Sequence, residues 1–256
     1  MLCPSAGALA AALFALWLLS LALRDASIVD LFWGLGFVAV AWIAFALGEG
    51  DPARKWLVAG ATTLWGLRLA GWLAWRNHGV GEDPRYQRMR RHHGARFARV
   101  SLFTVFGLQG VLLFLVSLPV QVAQARPGAP LGALDLAGAA LMAVGLSFEA
   151  VGDWQLARFK ADPANRGRVM DRGLWRYTRH PNYFGDAVFW WGLGLVACAV
   201  PGGVFALASP ALMTALLLRV SGVTLLERSL SRSKPGWDDY AARTSAFFPW
   251  RPKRKD

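Results

Sequence analysis

Seven ionisable residues stand within or at the edge of apolar stretches: Asp30, Arg68, Glu149, Asp153, Asp186, Arg219 and Glu227. Several are spaced as helical neighbours. Glu149, Asp153 and Lys160 lie four and then seven residues apart, so at about 100° per residue they share one face of a helix. Asn182 and Asp186 are i and i+4, and Arg219, Val223 and Glu227 repeat that step. Three polar stripes that converge at the ends of three helices build a pocket. The segment between the first two stripes carries Arg158, Lys160, Arg166, Arg168, Arg172, Arg176 and Arg179. Guanidinium forks match phosphate oxygens bidentately. A helix beginning at Pro181 would turn its free N–H groups to the same side, where they favour an anion. The chemistry these residues suit is the grip on an anionic, phosphate-bearing cofactor. In the plainer reading, the carboxylates form interhelical salt bridges and the arginines touch lipid phosphates.

The elements that must position these residues are membrane helices. Of 256 residues, 55% are hydrophobic and only 17% charged, against a usual charged share of about 25%. Met1–Leu23, Val100–Ala125 and Ala187–Leu218 carry no charge at all, and about 18 such residues suffice to read as a membrane span. Disorder, coiled coil, collagen and a small disulfide scaffold are excluded. The expectation is an all-α polytopic membrane protein with seven spans, roughly 5–23, 27–47, 56–75, 100–121, 131–151, 183–200 and 204–226. Ala187–Leu218 would be about 48 Å long as one helix, against a hydrocarbon core of ~30 Å. Pro201-Gly202-Gly203 is the natural break. The chain reads as one transmembrane domain over 1–256, with substrate-side helices in 1–125 and the cofactor side in 131–250. Ionisable groups in such spans cost several kcal/mol unless paired or facing a polar cavity, which makes each a functional candidate.

The net charge of +12 does not signal nucleic acid. Most Lys and Arg fall in Arg76–Arg99, Gly152–Tyr183 and Glu227–Asp256, on alternate connections. That is the positive-inside pattern, with the N-terminus out and the C-terminus cytoplasmic. The leader Met-Leu-Cys-Pro-Ser lacks a positive residue, so a retained first helix is expected. Cys3 and Cys198 suggest neither a disulfide framework nor a metal site, and His92-His93 reads as basic surface. Arg85–Arg99 suits an amphipathic segment resting on anionic headgroups. Asp135 is expected at the membrane interface. Gly34-Leu-Gly36 and Gly192-Leu-Gly194 lie within spans and read as close helix packing, not a dinucleotide fingerprint.

The segment Arg172-Gly-Leu-Trp-Arg-Tyr-Thr-Arg-His-Pro-Asn-Tyr-Phe-Gly-Asp186 resembles the C-terminal signature of the steroid 5-alpha-reductase family, in its bacterial membrane branch. The likeness runs back through Glu149-x-x-x-Asp153-Trp and Lys160, and forward to Glu227-Arg228, Tyr240 and Phe248-Pro249. It covers about half the chain. The Arg-His-Pro-Asn-Tyr core is similar also to that of the isoprenylcysteine carboxyl methyltransferases, which bind S-adenosylmethionine; Asp186 leans toward the reductases. The resemblance implies seven helices in a bacterial inner membrane, with NADPH held among the last three spans and their cytoplasmic loops. It assigns cofactor contacts to Glu149, Asp153, Lys160, Arg168, Asn182 and Asp186, and with a softer alignment to Arg219. Arg176, Tyr177, Arg179, His180 and Glu227 belong to the same candidate set.

Members of that family polarise an enone carbonyl with a glutamate on the second span and a tyrosine on the third. Here Asp30 stands for the glutamate. The third span, Trp56–Trp75, has no tyrosine, and Trp65 or Arg68 occupies the expected place. The expected activity is NADPH-dependent reduction of the C=C bond of a lipophilic conjugated carbonyl, steroid-like or another enone lipid. Asp30, Arg68 and Trp65 are the catalytic candidates, and Trp33 and Phe37 line the substrate cavity. Membrane lipid and the substrate are the expected partners of a monomer that needs no metal. A membrane S-adenosylmethionine methyltransferase and a non-catalytic lipid-binding protein are the alternatives.

Overall fold

Apolar runs in a lipid setting fold as helices because each peptide group must then find its partner within its own segment. The computed structural model describes residues 2–220 and 223–253. It is 79% helix, with no strand among the described residues. Four helical stretches are long and apolar enough to cross a membrane: Leu2–Leu23, Ile28–Leu47, Pro84–Val116 and Ala133–Ala161. The protein is therefore membrane-embedded and all-helical. By its internal contacts the chain divides into two compact units.

The first unit comprises Met1–Asp135 and Val196–Ala206. Its helices are α1 (Leu2–Leu23), α2 (Ile28–Leu47), α3 (Pro52–Asn77), α4 (Pro84–His93), α5 (Phe97–Ser101), α6 (Leu108–Val116) and α7 (Leu118–Ala125). A π-helical turn, Leu102–Gly107, joins α5 to α6. Both α3 and α4 start at an Asp-Pro pair, in which proline sits at the first helical position and the aspartate caps a free N–H. Gly34 and Gly66 let α2 and α3 meet backbone to backbone: a Cβ added at Gly34 would lie 2.4 Å from the Gly66 carbonyl oxygen.

Asp135, near the start of α8, is buried and paired rather than open to solvent. It is 1% exposed and accepts two hydrogen bonds from the equally buried Arg54, at 2.7 and 2.8 Å, and one from the Gly132 N–H at 2.8 Å. A carboxylate can be buried when a bidentate guanidinium and a backbone donor satisfy its lone pairs.

The second unit comprises Leu136–Leu195 and Leu207–Asp256. It holds most of α8 (Ala133–Ala161), together with α9 (Pro181–Cys198), α10 (Ala208–Ala215), α11 (Val223–Ser233) and α12 (Trp237–Arg243). Unlike the division read from the sequence, the segment around Pro201-Gly202 groups with the first unit. The helix α9 does begin at Pro181, and Gly202 makes the turn after it at φ +76°. Glycines spaced by seven on α8 meet small positions on α9. A Cβ at Gly145 would lie 2.5 Å from the Gly185 oxygen, and one at Gly192 2.6 Å from the Gly138 oxygen, while Gly152 packs on Pro181. This antiparallel zipper brings the polar stripes of α8 and α9 side by side.

Candidate functional site

The sequence from Phe159 to His180 leaves α8 and returns to α9 as a looped wall around a cavity of about 730 Å³. Lys160, Arg166, Arg168, Arg179, His180 and Lys234 contribute its basic side, and Leu156, Trp175, Trp237 and Tyr240 its apolar side. Among the described residues Arg166, Arg168 and Lys234 make no ion pair, whereas the nearby Asp162 is spent on capping Ala164 and holding Asn165. A cavity with apolar walls and a few convergent cations is the usual form of a small-ligand site.

The wall is held by the C-terminal segment. Trp175 donates from its indole N–H to the Gly152 carbonyl at 3.1 Å, and the Leu174 N–H donates to Gln155 at 3.0 Å, which fixes the loop to α8. Tyr240 donates its hydroxyl to the Trp175 carbonyl, and burial pushes the Tyr240 phenol above its ordinary pKa. Thr178 and Ser245 form an isolated parallel bridge; the Arg179 N–H donates to the Ser245 oxygen and the Trp250 N–H to the Tyr177 oxygen, both at 2.9 Å.

Arg179 is the centre of this clasp. Its guanidinium donates to both Glu227 oxygens at 2.8 and 3.1 Å and to the carbonyls of Ala241 and Thr244 at 2.6 and 2.8 Å. His180, 1% exposed and stacked on Tyr183, has Nε2 3.0 Å from the same carboxylate. Burial alone would raise the Glu227 pKa, but the hydrogen bonds and charges of His180 and Arg179 outweigh it and hold the carboxyl below its usual range. In the sequence Arg179 reads as a phosphate contact, yet every guanidinium nitrogen here has a protein acceptor.

The other candidates fall into separate groups. Glu149 and Asp153 are 3% and 6% exposed on α8, and Asn182 donates to Asp153 at 3.2 Å. Asp186 lies one turn further along α9. These four sit beside the glycine zipper and do not line the cavity. Arg219 is exposed on a π-helical turn, Leu216–Val220, also outside the lining. Arg176 and Tyr177 line a second cavity, of about 780 Å³, which shares no residue with the first.

In the first unit, Asp30 is bound from outside its own helix. Arg85 donates to Oδ2 at 2.8 Å and the Tyr86 hydroxyl to Oδ1 at 2.9 Å. Tyr86 is 6% exposed and packs among Leu13, Val29, Phe97 and Phe106. Asp30 is thus met by a phenol from the next helix, α4, whereas Trp56–Trp75 has no tyrosine. The only sequence signal for it is a tyrosine two residues past an Asp-Pro helix start. Gly79 and Gly81, at φ +74° and +77°, turn the chain back to deliver it. Glu82 reinforces the return by accepting from the Ala26 N–H at 2.9 Å and from Arg90 at 2.7 Å; its pKa is lowered, as the Arg90 and Ala26 hydrogen bonds outweigh burial. Trp33, Phe37 and Trp65 form a chain of edge-on aromatic contacts at 5.2 and 5.6 Å. Phe37 and Trp65 are fully buried, so they pack α2 on α3, and Trp33 and Arg68 are half-buried.

Among the described residues, no group of three or more His, Cys, Asp and Glu side chains is placed to hold a metal ion. A family model described as "Protein of unknown function (DUF1295)" matches residues 16–244. The chain belongs to this family. The match takes in Asp30, Tyr86, the looped wall and the Arg179 clasp alike, so both groups of residues lie inside one family domain. No curated protein and no solved structure matches the chain.

Proposed function

We propose that the protein is a membrane-embedded NADPH-dependent reductase of a lipophilic conjugated carbonyl, with seven spans, its N-terminus outside and the looped wall on the cytoplasmic side of a bacterial inner membrane. The observation that carries this reading is the cavity between α8, the looped wall, α11 and α12. Its cations, Lys160, Arg166, Arg168 and Lys234, suit the phosphates of a dinucleotide, and Trp175, Trp237 and Tyr240 offer flat apolar surface to a base. Its volume is in the range of cofactor sites, roughly 300–1,000 Å³. NADPH bound there supplies a hydride for the electron-poor carbon of an activated alkene.

The part left to this chain is charge and proton management. Tyr86 and Asp30 share one proton across 2.9 Å, with Arg85 on the far carboxylate oxygen. With its one O–H turned from Asp30 to a substrate, Tyr86 can donate to a carbonyl oxygen as negative charge develops on it, and the bond to the carboxylate holds the phenol in place beforehand. This carboxylate–phenol pair favours a reductase over a methyltransferase, which has no oxyanion to stabilise at a carbonyl. In this reading Arg179, His180 and Glu227 maintain the shape of the cavity.

The test is thermal unfolding of the detergent-purified protein with NADPH, NADH or S-adenosylmethionine. NADPH should stabilise most, and Arg168→Gln should weaken NADPH binding by about 10- to 100-fold, as expected for losing a hydrogen bond to a charged group. Stabilisation by S-adenosylmethionine with none by NADPH would instead establish the methyltransferase. No shift with any of the three would sink both.

A further inference from the structure

The second cavity lies on the other side of the looped wall, where Arg172, Arg176 and Tyr177 face Arg243, Arg251 and Lys253. Its single acidic residue, Asp171, is bound to Arg243 at 2.6 Å. Arg172, Arg176, Arg251 and Lys253 have no ion-pair partner among the described residues, and the Nε of Arg243 is buried without an acceptor. Four guanidiniums and an ammonium thus converge on a space of about 780 Å³. Like charges are held together there by backbone bonding of the clasp, through Tyr177 to Trp250 and Arg243 to Lys253. Arg172, Arg176, Arg251 and Lys253 are exposed, and a surface with this much positive charge in one place attracts an anion.

Two observations say which anion. The first is depth. The wall is tied to α8 at Gly152 and Gln155, and Gly152 lies about 28 Å along that helix from Ala133 at 1.5 Å per residue. A hydrocarbon core is ~30 Å thick, so a helix that enters it near Ala133 leaves it near Gly152 and holds these arginines at headgroup level. The second is what surrounds them. Tyr177, Phe248 and Trp250 are 43%, 69% and 75% exposed on the same clasp, and Trp154 is 54% exposed beneath the Arg158 guanidinium. Exposed aromatic rings beside cations are the composition of a membrane interface. A soluble phosphate uses the cations and leaves the rings wet, whereas a phospholipid uses both.

We infer that this cavity is a binding site for the headgroup of an anionic phospholipid, with its phosphate among Arg172, Arg176 and Arg251 and its glycerol and acyl chains against Tyr177, Phe248 and Trp250. The inference rests on the membrane setting of α8 and is independent of whether NADPH binds the first cavity.

Native mass spectrometry and thermal unfolding of the full-length protein in mixed micelles test it, with phosphatidylglycerol, phosphatidylcholine and inorganic phosphate as probes. A basic residue near an anionic lipid contributes about 5-fold in affinity. Replacing Arg172, Arg176 and Arg251 together by Gln should therefore cost on the order of 100-fold and erase the preference for phosphatidylglycerol. Arg251→Gln alone, a mild change on an exposed segment, should cost about 5-fold. Removing exposed arginines elsewhere, Arg24 and Arg126, should leave the preference intact. Equal retention of the two lipids by the unaltered protein would overturn the inference, as would an unchanged preference in the triple variant. It also fails if the Arg24 and Arg126 variant loses as much, or if inorganic phosphate reproduces the stabilisation.

Discussion

Replacing Arg179 by alanine separates two roles for the most connected side chain of the signature. The substitution removes four hydrogen bonds, two to Glu227 and two to the carbonyls of Ala241 and Thr244. The Arg179 side chain is 12% exposed and that of Glu227 23%. Breaking a buried pair from one side costs about 3–5 kcal/mol. Glu227 keeps His180 at 3.0 Å, which moves the ionic part to the low end, while each carbonyl left dry adds about 1 kcal/mol or more. A total near 5 kcal/mol is about 10–20 °C in unfolding temperature for a chain of this size. Arg179→Lys keeps the charge but presents one point donor to four acceptors, so about half the loss should remain. Tryptophan fluorescence during heating in detergent reads the stability, and limited proteolysis should find new cuts between Gly236 and Trp250. If Arg179→Ala unfolds within about 2 °C of the unaltered protein while NADPH affinity falls about 100-fold, Arg179 is a phosphate ligand and the clasp argument is wrong.

Three further outcomes are expected. Tyr86→Phe keeps the ring in its apolar cluster and removes only the shared proton, so turnover should fall by about 100-fold or more with little change in unfolding temperature; an undiminished rate removes Tyr86 from the chemistry. The folded-state pKa of Glu227 is depressed, so its contribution to stability is fully present above the unfolded value of about 4.3 and is lost as pH falls through the lower folded value. Melts between pH 7 and 3 should show an acid-side decline that Glu227→Gln reduces, and the same decline in the variant refutes the assignment. Arg54→Met strands the buried Asp135 and should cost about 3–5 kcal/mol, most of it recovered when Asp135→Leu is added; equal instability of single and double variants in denaturant titrations would show that the pair is not the cause.

Much of the helical order was legible because it follows from local rules. Apolar runs placed α1, α2 and α8, Pro181 placed the start of α9, and Pro201-Gly202 placed the break after it. The i, i+4 rule also put Asn182 and Asp186 on one face of α9. It failed where contacts depend on chain reversal. Tyr86 reaches Asp30 only because Gly79 and Gly81 turn α4 back, and Arg54 meets Asp135 across 81 positions. Neither event leaves a periodic trace. The seven basic residues of the loop read as one electrostatic unit, yet folding divides them: Lys160, Arg166 and Arg168 face one cavity, Arg172 and Arg176 another, Arg158 lies over Trp154, and Arg179, at the edge of the first cavity, gives every guanidinium nitrogen to a protein acceptor. Charge counting sees the sum of such a loop, whereas the hydrogen bonds of Trp175, Thr178 and Tyr240 decide its partition.

The clasp also sets an order of events during biosynthesis. Tyr177, Thr178 and Arg179 are bonded to residues between Ala241 and Trp250, more than sixty positions later in translation. Helices α1 to α9 can therefore leave the translocon and settle in the bilayer while the looped wall is still open. A ribosome stalled near Gly236 would yield a chain whose looped wall has not yet closed on the C-terminal segment, so membrane integration and completion of the first cavity are successive stages of its maturation.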